Sequence, residues 1–226
     1  MTRPHVWVKR RLQYELITGS NWALGRALLP VLRPWAAAEN GVVLDYGCGE
    51  SPFRDLFSGA RAYLRADLSP KGSGSIVVDG FRIPTRDESV DCILVAQVLG
   101  DVPDLRVLFG EFFRTLRSGG RVLVFETMAY PEHDLPHDYF RVMPAGLVWA
   151  ARSVGFRRME VKRLGGLFTR ISQLWNPYVM GWLGGWRGTR WLGVAGTAAM
   201  NVAAVALDRA LPHSSLAPDY LARLEK

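Results

Sequence analysis

The sequence has 226 residues, of which 49% are apolar and 22% are charged. This length suits one ordinary domain with room for an appended segment, and the composition excludes an intrinsically disordered chain. The net charge of +7 raises nucleic acid, anionic lipid and acidic substrates as partners. The basic residues are scattered, however, and cluster only at 9–11, so the pattern favours an ordinary solvated surface.

Cysteine content and the first residues indicate the compartment. The two cysteines, Cys48 and Cys92, exclude a disulfide framework, and their surroundings favour reduced thiols. Residues 1–11 are basic but lack the apolar core and cleavage site of a signal peptide. We therefore expect a cytoplasmic protein.

Hydrophobic spacing divides the chain into parts. Leucines at helical spacing predict a helical N-terminal cap over residues 1–40, with a break at 18–21. Short apolar runs between helical stretches then predict a doubly wound α/β domain with a parallel sheet over 41–163. The clearest crossover helix is 103–117, opened by Pro103 and stopped by the turn at 118–120. The predicted strands are 42–46, 61–66, 75–78, 90–96, 121–126 and 156–162, with a further helix at 144–154.

The segment 164–226 is rich first in glycine and tryptophan and then in alanine. Its residues 191–207 form an uncharged run of 17 residues, which is at the lower limit for a membrane span. A helix packed on the domain or at a homodimer contact is favoured over interfacial membrane contact, and both are favoured over a span. We expect a helical extension that acts as an acceptor lid, a dimer contact or a peripheral membrane contact through 164–212.

A glycine loop follows the first predicted strand. Asp45 ends that strand, and Gly47-Cys48-Gly49 forms a tight turn at the carboxyl edge of the sheet, where open α/β sheets bind ligands. A dinucleotide fingerprint needs a third glycine where this chain has Pro52, which argues against a nicotinamide reductase. The acidic residue before the turn suits a cofactor with a cationic amino-acid end and no pyrophosphate.

Polar side chains end the next strands as well. Asp67 ends the second apolar run, where a carboxylate would accept from both ribose hydroxyls. Asp79 ends the third run and would hold an adenine amino group, with Gly80 and Phe81 beside the ring. Gln97 ends the fourth run inside the same cleft. Each acid alone is more often a solvated turn residue, but their succession favours one adenosyl site.

Three segments resemble class I S-adenosylmethionine-dependent methyltransferases of the type-11 group. The chain from about 42 to 166 is similar to that domain, with 45–49 matching its Asp-x-Gly-x-Gly motif. The segment 83–91 resembles its loop before the fourth strand, and 114–121 resembles its glycine turn, with Ser118 replacing proline. Gly100-Asp101 stands where relatives often have Glu-His.

The resemblance implies a Rossmann-like, mostly parallel seven-stranded sheet with S-adenosylmethionine as cofactor and S-adenosylhomocysteine as product. The expected cofactor contacts are Asp45, Gly47, Cys48, Gly49, Asp67, Leu68, Asp79, Gly80, Phe81 and Gln97.

The segment 136–141 resembles a subgroup with the motif Pro-x-Asp-Tyr-Phe-Arg. That subgroup is common among bacterial enzymes thought to modify cell-surface sugars or secondary metabolites. It suggests an acceptor pocket lined by Tyr139, Phe140 and Arg141.

Two histidines lie on the acceptor side of this fold. His137, with Asp138 beside it, and His133 are the candidates for a catalytic base. The alternative is a structural turn over 136–141 in which Asp138 pairs with Arg141. No histidine–carboxylate spacing resembles a metal ligand set, so we expect no metal.

The favoured function is methyl transfer to a hydroxyl or amine of a small-molecule acceptor. A nucleic-acid methyltransferase is disfavoured, because 97–100 lacks the Asn/Asp-Pro-Pro-Tyr type of motif. A non-catalytic partner subunit with the same fold is the alternative from another class. The intact glycine loop and Asp67 argue against loss of the cofactor.

Overall fold

The computed structural model describes residues 12–19, 21–68, 75–79, 81–128, 132–133, 135–183, 188–212 and 217–226. The chain forms two compact units. The helical unit consists of Met1–Val31 and Leu164–Pro218, and the sheet unit consists of Leu32–Arg163 and Asp219–Lys226.

The sheet has seven strands in the order β3-β2-β1-β4-β5-β7-β6. Their bounds are β1 Val42–Tyr46, β2 Ala62–Asp67, β3 Ser75–Val77, β4 Val90–Ala96, β5 Leu116–Thr127, β6 Arg158–Leu164 and β7 Asp219–Glu225. The pairs β1–β2, β1–β4, β2–β3 and β4–β5 are parallel, and β7 runs antiparallel to β5. The predicted α/β fold with a mostly parallel seven-stranded sheet is confirmed.

Six α-helices accompany the strands in the described residues. They are α1 Leu12–Glu15, α2 Trp22–Ala37, α3 Leu105–Thr115, α4 Pro144–Ser153, α5 Leu167–Leu183 and α6 Arg190–Ala210. Short 3-10 turns lie at Arg54–Leu56 and Leu99–Asp101.

The bounds of α3 differ from the prediction at both ends. Asp104 caps the helix by accepting from the backbone N–H groups of Arg106 and Val107, so the helix begins after Pro103. Its end lies at Thr115, and the predicted stop at 118–120 belongs to β5. A register shift between Val90 and Cys92 accommodates these extra residues beside β4 as an irregularity of the ladder.

The interior of the sheet unit explains why the strand ends are fixed. The central strands β1 and β4 are mostly buried, as expected for parallel strands covered on both faces. Phe109 and Phe112 of α3 are fully buried and pack edge to face with ring centroids 5.6 Å apart. Phe112 also meets Tyr46 of β1 edge to face at 5.1 Å, which holds the start of the glycine loop against α3.

The predicted extension 164–226 is not one structural part. Residues 219–226 return to the sheet unit as β7, and 32–40 of the predicted cap also belong to that unit. Tyr220, Ala222 and Leu224 are buried in β7. Their alternate spacing in the sequence is typical of a strand. The run is short and contains three charged residues, however, so β7 was not among the predicted strands.

Candidate cofactor and acceptor site

The glycine loop lies close to two neighbouring segments. Gly47 has a φ of 66° and Gly49 a φ of 47°, a region that disfavours side chains. A Cβ on Gly47 would lie 2.3 Å from Cγ2 of Val98, in the segment that follows β4. The backbone N–H of Cys48 donates to the carbonyl of Ala66 in β2 at 3.0 Å. The loop, called here the glycine cradle, therefore has no room for a Cβ at position 47, because the Val98 side chain occupies that space.

Asp67 lies beside this loop. The register pairs Tyr46 with Ala66, so Asp67 extends one residue beyond the end of β1. Its Oδ2 accepts from the backbone N–H of Gly49 at 2.8 Å, and the side chain is half-buried. The bond joins the predicted ribose carboxylate to the predicted glycine loop.

Asp45 is buried under the loop. Its Oδ2 accepts from the hydroxyl of Tyr63 at 2.8 Å, and burial raises the pKa of Asp45 to about 6. Arg65 donates to the carbonyl of Gly49 at 2.7 Å and to Oγ of Ser51 at 2.9 Å. These contacts fix the loop from β2. The Cys48 side chain is also buried, and burial raises the pKa of its thiol.

The predicted adenine-binding residues follow β3. Oδ1 of Asp79 accepts from the backbone N–H groups of Phe81 at 3.0 Å and Arg82 at 2.7 Å, and these bonds lower the pKa of Asp79. The carboxylate therefore sets the turn that places the half-buried Phe81 ring against the core. Leu68 is exposed after β2. Gly80 lies outside the described residues.

Gln97 turns the chain at the end of β4. Its φ of 58° lies in the left-handed region, which non-glycine residues rarely adopt. Its backbone N–H donates to the carbonyl of Phe125 in β5 at 2.8 Å. The conformation directs the chain into the 3-10 turn Leu99–Asp101, which borders the acceptor side.

A buried acid that the sequence analysis did not single out supports this turn. Glu126 is the second-to-last residue of β5 and is almost fully buried. Its Oε2 accepts from the backbone N–H of Leu99 at 2.9 Å, and its Oε1 accepts from that of Thr127 at 3.2 Å. Burial raises the pKa of Glu126 to about 7. The pattern that identified Asp67, an acid at the end of a buried run, would have found it.

We expect Glu126→Gln to become more stable relative to the wild type as the pH rises from about 4.5 to 7. The folded state keeps the Glu126 proton up to a pKa of about 7, whereas the unfolded chain loses it near pH 4.5. Folding of the wild type therefore loses roughly 3 kcal/mol over this window, and the neutral amide does not. Urea unfolding of both proteins at several pH values measures the difference. A difference independent of pH would contradict the assignment.

The 3-10 turn also anchors the predicted acceptor segment. The carbonyl of Gly100 accepts from the backbone N–H groups of Tyr139 at 2.8 Å and Phe140 at 3.1 Å. A Cβ on Gly100 would lie 2.7 Å from the carbonyl oxygen of Phe140. The glycine that departs from the family pattern thus permits this close approach. The two aromatic rings are exposed, with centroids 6.2 Å apart.

Asp138 and Arg141 pair within this segment, as the structural alternative anticipated. Both terminal nitrogens of Arg141 donate to the Asp138 carboxylate, whose side chain is 3% exposed. The guanidinium holds the pKa of Asp138 well below its usual range. The carboxylate is therefore engaged by Arg141, and the predicted support of His137 by Asp138 does not appear among the described contacts.

The structure places the two histidines differently. Nδ1 of His133 lies 3.5 Å from Oδ2 of Asp138, and its Nε2 lies 3.9 Å from Oδ1 of Asp101. His137 is exposed, and its Nδ1 lies 3.2 Å from the hydroxyl of Tyr139. Asp138 follows His137 in sequence but lies beside His133 in space.

One group of potential metal ligands occurs in the part of the chain that the structure describes. Asp101, His133 and Asp138 place ligand atoms within 4.8 Å of one another. The Arg141 guanidinium already binds the Asp138 carboxylate, and its charge opposes a cation there. This cluster therefore fits a histidine held between carboxylates better than a metal centre.

Part of the sequence is similar to known methyltransferases. Residues 44–124 match the profile of a family described as a methyltransferase domain. A demethylmenaquinone methyltransferase from Thermobifida fusca (strain YX) is 29% identical over 91 residues, which cover 40% of this chain and 39% of that protein. The chain thus matches about two fifths of the length of this curated relative.

Solved structures share the fold. An S-adenosylmethionine-dependent methyltransferase from Archaeoglobus fulgidus has a TM-score of 0.57 at 16% identity, covering 96% of this chain and 99% of that chain. Phosphoethanolamine N-methyltransferase 2 from Haemonchus contortus, in complex with phosphomonomethylethanolamine and S-adenosylhomocysteine, has a TM-score of 0.53 at 16% identity. The coverage is 99% of this chain and 61% of that chain.

The matched residues 44–124 include the glycine loop. They also include Asp67 at the end of β2, Asp79 after β3 and Gln97 after β4. The segment 136–141 lies outside it, so the subgroup with the Pro-x-Asp-Tyr-Phe-Arg motif stays a prediction. Residues 44–124 therefore match a methyltransferase domain, and the chain shares its fold with solved S-adenosylmethionine-dependent methyltransferases.

Proposed function

We propose that this chain is a cytoplasmic enzyme, peripheral at the inner membrane face, that transfers the methyl group of S-adenosylmethionine to a small-molecule acceptor. The observation that carries the proposal is the bond between Gly49 N–H and Asp67 at 2.8 Å. It joins a glycine cradle to a carboxylate at the carboxyl edge of a parallel sheet, where such folds bind nucleoside-containing ligands.

The residues of this edge fit the cofactor. S-adenosylmethionine supplies a methyl group that is already activated on a sulfonium, so the protein mainly positions the reactants. Asp67 accepts from the ribose hydroxyls, and the loop 47–49 receives the amino-acid end above Asp45. Leu68 and the turn of Asp79 and Phe81 hold the adenine. Gln97 borders the reacting centre.

The acceptor carries a hydroxyl or an amine and lies near the segment 133–141. The exposed rings of Tyr139 and Phe140 line its pocket, and a secondary metabolite or cell-surface sugar is the proposed class. His133 acts as the base: Oδ2 of Asp138 lies 3.5 Å from Nδ1 and orients the ring, and Nε2 takes the proton of the acceptor. Arg141 positions Asp138.

Thermal shift tests the proposal directly. S-adenosylmethionine and S-adenosylhomocysteine should both raise the melting temperature with increasing concentration, and NAD should not. Transfer of tritium from the labelled methyl group to a panel of sugars, phenols and amines then tests catalysis. Absence of a shift with both adenosyl ligands would contradict the proposal. A shift without transfer to any panel member would favour the non-catalytic subunit.

We expect His133→Gln to lower kcat about a hundredfold for the best hydroxyl acceptor of this panel. The variant loses the proton acceptor but keeps the glycine loop and Asp67, so its affinity for S-adenosylmethionine should not change. His137→Gln is the matched control, because His137 contacts Tyr139 but no carboxylate among the described contacts. Equal kcat values for the two variants would remove His133 from the mechanism.

A further inference from the structure

Helices α5 and α6 of the helical unit form an antiparallel hairpin. Asp208, near the end of α6, accepts from the backbone N–H groups of Phe168 and Thr169, at the start of α5, at 2.9 Å each. At the opposite end, a Cβ on Gly193 would lie 3.1 Å from Sδ of Met180. The two helices are therefore in close contact along their lengths.

The inner side of this hairpin is polar. Nδ2 of Asn176 donates to Oδ1 of Asn201 at 2.9 Å. Nδ2 of Asn201 donates to the carbonyls of Ile17 at 2.7 Å and Gly19 at 2.8 Å. The buried polar side chains of the two helices are Thr169, Ser172, Asn176, Thr197 and Asn201.

The outer side of the hairpin is apolar and aromatic. Tyr178, Trp182 and Trp191 are 67%, 76% and 65% exposed. Further exposed apolar side chains are Leu167, Ile171, Leu174, Trp175, Leu192, Val202 and Leu207. A hairpin surrounded by water has the reverse arrangement, with its apolar face inside. Polar groups inside and apolar groups outside are the arrangement of helices packed in lipid.

The charge of the chain is divided unequally between the helical unit and the sheet unit. The segments Met1–Val31 and Leu164–Pro218 contain nine Lys or Arg residues and two acidic residues. The remaining sequence contains nineteen Lys or Arg residues and nineteen acidic residues. The whole net charge of +7 therefore lies in the segments of the helical unit. The basic residues are scattered along the sequence, and this excess becomes visible only when the two discontinuous segments of the unit are counted together.

Helix α6 is long enough for the hydrocarbon region. Among the described helices, it alone meets the length and composition of a membrane span, and 22% of its most apolar window is buried. Its charged residues, Arg190, Asp208 and Arg209, lie only near its ends. The 21 residues of α6 and 17 of α5 correspond to about 32 Å and 25 Å, close to the thickness of a bilayer core.

We propose that the α5–α6 hairpin inserts its apolar outer side into an anionic lipid bilayer. The hydrocarbon covers the exposed aromatic and aliphatic side chains, and the hydrogen bonds of Asn176 and Asn201 lie away from lipid. The exposed Arg190 and Arg209, at the two ends of α6, meet the anionic headgroups. This inference does not depend on methyl transfer.

Flotation with vesicles tests this inference on the full chain. Vesicles of equal parts phosphatidylglycerol and phosphatidylcholine should carry the protein to the top of a density gradient, and pure phosphatidylcholine should carry less. Once bound, the protein should stay bound in about 1 M NaCl, where surface electrostatics are screened. Protein that remains at the bottom, or that salt releases completely, would overturn insertion.

A matched pair of variants locates the surface. Trp182→Glu combined with Trp191→Glu should lower the bound fraction at least about tenfold, because charged side chains are disfavoured in the bilayer. Trp149→Glu changes a tryptophan of α4 that is 62% exposed in the sheet unit, and binding should persist. An equal loss in both variants would overturn the assignment. So would a soluble dimer that only the double variant dissociates, since a second copy would then cover this face.

Discussion

Replacing Asp67 by asparagine should weaken the binding of S-adenosylmethionine about a hundredfold. A carboxylate that accepts from two hydroxyls makes charge-assisted hydrogen bonds, each contributing about 1.5–3 kcal/mol when its partner is ionised. Asparagine offers one uncharged acceptor and two donors that oppose the hydroxyl hydrogens. Its oxygen can still accept from Gly49 N–H, the bond that Asp67 makes at 2.8 Å, so the loop should keep its conformation.

Isothermal titration with S-adenosylmethionine measures this loss, and the melting temperature without ligand reports on folding. The matched control is Asp87→Asn, which removes the same charge from the exposed side chain paired with Arg114. Asp87 precedes β4 and so lies at the amino edge of the parallel strands, opposite the site. Its loss should leave affinity unchanged, because exposed ion pairs contribute little. Equal affinities of Asp67→Asn and wild type would refute the ribose assignment.

Replacing Gly47 by alanine should destabilise the sheet unit by about 3 kcal/mol and abolish measurable cofactor binding. The φ of 66° imposes strain of about 1–2 kcal/mol on a residue with a Cβ. The methyl group would also lie 2.3 Å from Cγ2 of Val98, and overpacking of this kind costs about 1–3 kcal/mol. Relief of the contact requires movement of the cradle or of the segment after β4. Either movement alters the cofactor site.

Three further variants, Gly119→Ala, Val98→Ala and a double variant, separate these effects. Gly119→Ala provides the strain alone, because Gly119 has a φ of 74° and no atom lies within 4 Å of the position that a Cβ would occupy there. Combining Gly47→Ala with Val98→Ala removes the two nearest atoms and leaves only the Cβ of Val98, at 3.1 Å, so the double variant should be less destabilised than the sum of the two single variants. Denaturant unfolding of the single and double variants measures these differences. Strict additivity would show that Val98 does not limit position 47.

The sequence was sufficient for the strand ends of the cofactor side. Asp45, Asp67, Asp79 and Gln97 each follow a short apolar run, and parallel strands bring their carboxyl ends to one edge. No sequence pattern of this kind predicts which side chains meet on the acceptor side. The contacts of Asp101 with His133 join loops that follow different strands, and Asp138 contacts a histidine other than its neighbour in sequence. Such pairs depend on tertiary structure.

The helical unit was harder to predict for a different reason. Asn176, Thr197 and Asn201 have the helical spacing of a solvated face, yet these side chains are buried. Periodicity shows that two faces differ in polarity but does not say which one faces inward. The charge division was equally hidden, because it emerges only when segments at 1–31 and 164–218 are taken together.

The position of β7 has a consequence for biosynthesis. β7 lies between β5 and β6 in the sheet, although residues 165–218 separate it from β6 in the chain. During translation, β5 keeps an open edge and β6 has no neighbouring strand until β7 leaves the ribosome. Long-range pairing of this kind delays folding and exposes strand edges. The α5–α6 hairpin is therefore synthesised before the sheet is complete, and deletion of 219–226 would leave the sheet permanently divided.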